Sequence, residues 1–109
     1  MTMVNQMANK SKRKGTRFEN EIVQVFNENG IDAIRAWGSN GKSLGFEEDV
    51  DVLVKKFGGI TDFKIQAKRR AALPRYLKLG NCDAVVIRED REVPMVIMPL
   101  MDLIGIIGE

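Results

Sequence analysis

The sequence contains no histidine, and that absence removes more chemistry than any other feature of its composition. Zinc–histidine centres, Ser-His-Asp triads and histidine general bases are all excluded. Any catalysis must therefore come from carboxylates, lysine or a hard metal ion. The single cysteine, Cys82, allows no internal disulfide and fits a reducing compartment. No apolar run approaches the roughly 20 residues of a membrane span, and the N-terminus has no signal-peptide apolar core, so a cytoplasmic protein with no membrane partner is expected.

What is present describes an ordinary globular chain. Its 109 residues suffice for one modest core, and 44% apolar with 29% charged residues is far from the composition of disorder. The net charge is only +2, but it is unevenly spread. Lys10, Lys12, Arg13, Lys14 and Arg17 crowd the N-terminus, and Lys64, Lys68, Arg69, Arg70, Arg75 and Lys78 crowd the middle. Basic clusters suit a polyanion such as nucleic acid, and equally a solvated surface. Between them lies an acidic run, Glu47, Glu48, Asp49 and Asp51, which would repel DNA unless a cation sat there.

Residues 1–14 lack an apolar period and read as a flexible basic arm, leaving 15–109 as a single domain. Thr16-Arg-Phe-Glu19 has capping-box spacing and predicts a helix to about Asn29, stopped by Gly30. Ile31–Ala36 predicts a short strand, and Gly38-Ser-Asn-Gly-Lys-Ser43 a loop. Val50–Phe57 and Ile60–Lys68 alternate with period two around Gly58-Gly59, a hairpin. A short helix over Ala71–Leu79, strands at Asp83–Arg88 and Pro94–Met98, and a closing helix at Met101–Ile107 complete the order.

Two local geometries concentrate the chemistry. At about 100° per residue, Phe18, Ile22, Val23, Val25 and Phe26 share one arc of the first helix, and Glu19 falls inside it. A carboxylate on an apolar arc needs a partner, which the capping box or a metal would supply. The two-residue turn pairs Val54 with Phe63 and Val52 with Ile65, and so sets Asp51 opposite Gln66 and Asp49 opposite Lys68. A structural Asp49–Lys68 ion pair is the plainer reading of that face.

Asp51, a turn, and a second strand carrying Gln66-x-Lys68 resemble the PD-(D/E)XK nuclease core. Lys14-Gly15-Thr16-x-x-Glu19, with Gly38-Ser39-Asn40-Gly41 ahead of the aspartate, is similar to its archaeal and phage Holliday-junction resolvase branch. The resemblance spans roughly residues 11 to 109. It departs at Val50, where proline is usual, and at Gln66, where glutamate is usual. A Gln-x-Lys version resembles Mrr-type endonucleases.

The resemblance implies an α/β fold, a restriction-endonuclease-like central mixed β-sheet flanked by helices. It also implies a homodimer that cuts four-way DNA junctions by metal-assisted phosphodiester hydrolysis. Mg²⁺, with Mn²⁺ able to substitute, would be held by Asp51, Gln66, the Ala67 carbonyl and Glu19. Lys68 would orient the attacking water or neutralise developing charge, and Ser39 would contact phosphate or water. Lys12, Arg13, Lys14, Arg17, Arg69, Arg70 and Arg75 would grip the DNA backbone. A restriction- or repair-type endonuclease on duplex DNA and a catalytically dead nucleic-acid-binding protein are the alternatives.

Overall fold

The computed structural model describes residues 3–36, 44–47 and 49–108. The chain forms two compact units, Met1–Arg69 and Arg70–Glu109. Its elements, in chain order, are α1 (Met3–Glu28), β1 (Ala33–Arg35), β2 (Val52–Phe57), β3 (Ile60–Ile65), β4 (Val85–Ile87), β5 (Met95–Ile97) and α2 (Leu100–Ile107). This is the expected α/β class. Strands β1, β2 and β3 form one antiparallel sheet in that order, and β4 pairs with β5 antiparallel in a second. Among the described residues, no helix is long and apolar enough to cross a membrane.

The first helix begins much earlier than its sequence spacing suggests. It runs from Met3, so Thr16 is an interior residue and not a cap, and residues 3–14 of the stretch read as an arm are helical. Most residues ahead of Thr16 are good helix formers (Met, Gln, Ala, Lys, Arg). The interruption at Gly15 costs only about 0.8–1.0 kcal/mol. The other end is as expected. Gly30 takes φ 77, the Ile31 N–H donates to the Phe26 carbonyl at 2.9 Å and the Gly30 N–H to that of Asn27 at 3.1 Å. That is a Schellman closure, with the buried Ile31 and Phe26 as its apolar pair. The Asn27 side-chain oxygen then accepts the Ala33 N–H at 3.0 Å and ties the helix end to β1.

The hairpin register is the one read from the sequence: Val52 faces Ile65, Val54 faces Phe63 and Phe57 faces Ile60. Gly58, with φ 61, supplies the positive φ that a type II′ turn needs at its first central residue. Strict alternation fails at Lys55 and Lys56, which are both exposed. The break lies beside Asp62, a non-glycine residue at φ 51. Phe57, next after the two lysines, is fully buried. Its ring lies edge-on to Phe26 at 5.4 Å and tilted against Phe63 at 5.3 Å. Among the described residues, Phe26, Phe57, Val52 and Val54 are the largest side chains fully removed from solvent.

In the second unit the helix expected over Ala71–Leu79 shrinks to a single 3₁₀ turn, Arg75–Leu77. Pro74 disfavours helical backbone at Leu73, and Lys78 is already extended. α2 extends from Leu100 after Pro99, close to the expected closing helix.

Candidate nuclease site

Asp51 sits where the first sheet ends, held on three sides. Its carbonyl accepts the Ala36 N–H at 2.8 Å from the chain beyond β1, and its own N–H donates to the Ile65 carbonyl at 2.8 Å. Its carboxylate Oδ2 accepts the Ala67 N–H at 2.7 Å. The last of these bonds refines the register. Asp51 does not continue the ladder as a pair with Gln66, because β3 ends at Ile65 and the Ala67 N–H goes to the Asp51 carboxylate. A side-chain acceptor replaces a backbone one.

Glu19 is buried to 5% exposure on the apolar face of α1, and Arg35 on β1 answers it. The Arg35 Nε donates to Glu19 Oε1 at 2.9 Å. Desolvation of the carboxylate is thus offset by a charge-assisted bond and not by a capping box. The sequence alone does not single out Arg35. Its only local signal is a lone cation at the end of a short strand, and its role depends on α1 packing against β1.

These groups act on one another electrostatically. Burial pushes the Asp51 carboxyl above its ordinary value; the Ala67 amide opposes the rise, the Glu19 charge adds to it, Lys68 opposes and Asp49 adds. Glu19, Asp51, Asp49 and Lys68 therefore share one neighbourhood. Among the described residues no ion pair joins Asp49 to Lys68, so the plain salt-bridge reading of that face is not the one observed. Gln66 is exposed and lines an open cavity of about 310 Å³ with Glu47, Asp49, Val50, Lys64 and Ile65. Lys64 lies 5.3 Å from the Phe46 ring centre, a cation–π contact joining β3 to the segment before Asp51.

Of the cations expected to meet DNA, Arg13, Lys14, Arg17 and Arg69 line a second cavity of about 390 Å³. Lys12 lies within α1. Arg70 and Arg75 belong to the second unit. Ser39 and the loop around it fall outside the described residues.

The donor set suits a hard cation. Asp51, Glu19 and Asp49 offer carboxylate oxygens, Gln66 an amide oxygen and Ala67 a carbonyl, with neither histidine nor thiolate nearby in sequence. Among the described residues no three Asp, Glu, Cys or His side chains could hold a metal together. Mg²⁺ does not require such a cage, since it is commonly bound by one or two carboxylates, water and substrate phosphates.

The archaeal Holliday junction resolvase (Hjc) family model matches residues 10–96, well over half of the chain and all of this site. The chain belongs to that family. No curated protein and no solved structure matches it. Hjc proteins are PD-(D/E)XK-superfamily endonucleases of recombination and repair, so membership establishes the nuclease class and agrees with the α/β architecture. Within an Hjc frame, the helix glutamate Glu19 lies near enough to the sheet-end aspartate Asp51 for its charge to raise the Asp51 carboxyl.

Proposed function

We propose that this chain is a divalent-metal-dependent endonuclease that cuts four-way DNA junctions, with Asp51 and Glu19 as its charged metal-holding groups. The carrying observation is the half-buried Asp51 carboxylate, held by the Ala67 amide at 2.7 Å, whose protonation is favoured by burial and by the Glu19 charge. Two carboxylates brought together, one buried and one partly withdrawn from water, are costly unless a cation joins them. Mg²⁺ or Mn²⁺, when bound, polarises the phosphodiester and makes water a stronger nucleophile.

The chain's own residues do the rest. Asp51 is aimed by the Ala67 amide, and Arg35 orients Glu19. Gln66 and the Ala67 carbonyl add neutral oxygen donors. Lys68 presents a cation close to Asp51, where it steadies negative charge on the phosphate under attack. Ser39 is kept as a phosphate-contacting residue on the strength of the motif alone. Lys12, Arg13, Lys14, Arg17, Arg69, Arg70 and Arg75 hold the backbone. Two symmetric cuts require two copies, and the second unit offers apolar surface for pairing: Val86, Met95, Val96 and Ile106 are each more than half exposed.

The deciding experiment incubates the protein in Mg²⁺ with a four-way junction and with linear duplex of the same sequence. Paired, symmetric cuts confined to the junction are expected. Equal cutting of the duplex would move the chain to a restriction- or repair-type role, and no cutting in either Mg²⁺ or Mn²⁺ would leave a binding protein.

Gln66 provides a narrower test. It contributes an oxygen without charge, so Gln66→Glu should lower the Mg²⁺ concentration needed for half-maximal cleavage, and Gln66→Ala should raise it by about tenfold. A Gln66→Ala titration curve that overlays the wild-type curve would remove Gln66 from the ligand set.

A further inference from the structure

The smaller cavity, of about 310 Å³, adjoins Asp51 along both stretches of chain that hold it. Val50 directly precedes Asp51, and Ile65 supplies the carbonyl that takes the Asp51 N–H. These two give the cavity apolar surface, Val50 being buried and Ile65 half-buried. The polar lining is mixed and exposed: Glu47, Asp49, Lys64 and Gln66. The Lys64 contact with the Phe46 ring ties the segment carrying Glu47 to β3, so the two sides of the cavity are held together.

The charges exclude the simplest occupants. Two carboxylates against one ammonium leave an excess of negative charge, which disfavours a phosphate. A metal ion would have to share the space with the Lys64 ammonium, which disfavours a cation. The lining suits a neutral, flat group that carries donors and acceptors together. Glu47 and Asp49 accept, Lys64 donates, and Gln66 does both. A nucleobase is such a group, and a volume at the lower end of the range for ligand pockets, about 300–1,000 Å³, admits a single base. One sugar joins a base to its phosphate, so a phosphate served by Asp51 brings a base within reach of this cavity. Among the four major-groove edges, only that of adenine sets a donor, N6, beside an acceptor, N7. Guanine and thymine present no donor there, and cytosine no acceptor.

We propose that the cavity lined by Glu47, Asp49, Lys64 and Gln66 reads an adenine beside the scissile phosphate and gives the nuclease a preferred cutting sequence. The carboxylates take the N6 amino group, and Lys64 and the Gln66 amide nitrogen donate to N7. Gln66 has two ends, so an oxygen given to a cation leaves its NH₂ for the base. A base arrives here only if Asp51 serves the scissile phosphate, so this specificity rests on the junction-cutting function proposed above.

The test uses wild type and Glu47→Ala in Mg²⁺, on four-way junctions whose crossover can migrate through a randomised core. Sequencing of the cut ends should show adenine enriched about tenfold at one fixed position beside the wild-type cut. On a fixed junction carrying that adenine, two replacements remove one group each. Purine lacks the 6-amino group and 7-deazaadenine lacks N7, and each should slow wild-type cutting about tenfold. Glu47→Ala should cut the adenine and purine junctions within about threefold of one another, yet stay sensitive to 7-deazaadenine. Misfolding would slow all three substrates alike and produce no such pattern. Junction cutting without base bias would overturn the proposal. So would a Glu47→Ala protein that keeps the full wild-type ratio of adenine to purine cutting, or that loses activity equally on all three substrates. Wild type that cuts no junction would instead overturn the functional reading beneath it.

Discussion

Asp51→Asn should reduce junction cleavage by about 10²–10³-fold while leaving junction binding in EDTA intact or tighter. The substitution keeps an oxygen to accept the Ala67 N–H, so the sheet end should survive. It removes the charge proposed to hold a cation, which would also repel a nearby phosphate. Neutralising Lys12, Arg13 and Lys14 together should do the reverse. Binding weakens and its salt dependence shallows, while saturating DNA partly restores cutting. Gel shift in EDTA and cleavage in Mg²⁺, run on one junction, separate the two effects. An Asp51→Asn protein that still cuts, or that loses binding as fully as the triple variant, would show that the acidic cluster is not the catalytic centre.

The same substitution carries a signed prediction for stability. Because burial and the Glu19 charge raise the Asp51 carboxyl above its unfolded value, native protein binds this proton more tightly than unfolded chain does. The stabilisation from that proton is fully present below the ordinary carboxylate range and is lost as pH rises through the raised value. Metal-free wild type should therefore melt lower than Asp51→Asn at neutral pH, with the gap closing in acid. Added Mg²⁺ should raise the melting temperature of wild type but not of the variant.

The largest loss of stability is expected at Phe57. Its side chain is fully buried and touches two other rings, Phe26 and Phe63. Phe57→Ala removes that area and both ring contacts, and leaves a cavity between α1 and the hairpin, at a cost of about 3–5 kcal/mol. For a chain of this size each kcal/mol lowers the melting temperature by about 4–8 °C, so thermal denaturation should move by tens of degrees or the protein should fail to fold. Phe57→Leu retains most of the volume and should lose much less. If Phe57→Ala melts within a few degrees of wild type, the ring does not anchor this core.

Much of the site is legible from local order alone. The two-glycine turn and the alternation on either side of it specify one hairpin register, because a slip of one residue would carry Val52 and Val54 off the face they share with Ile65 and Phe63. The helical period places Glu19 on the apolar face of α1, where it is buried. The missing histidine confines the chemistry to oxygen donors and lysine. All of these depend on neighbours close in sequence or on composition.

Tertiary contact decides the rest. Thr16 resembles a helix start because its spacing to Glu19 suits a cap, yet the helix continues back to Met3 and Glu19 bonds to Arg35, sixteen residues away on another element. No periodicity announces such a pair. Alternation alone sets Asp51 opposite Gln66 across a continuing ladder, but β3 ends at Ile65 and the Ala67 amide donates to the Asp51 carboxylate. Where a strand ends depends on which acceptor wins a backbone N–H, and a carboxylate is a stronger acceptor than a carbonyl. The recess joining Arg69 to the α1 cations is of the same kind. Sequence counts those charges, and only the packing of helix against hairpin brings them around one cavity.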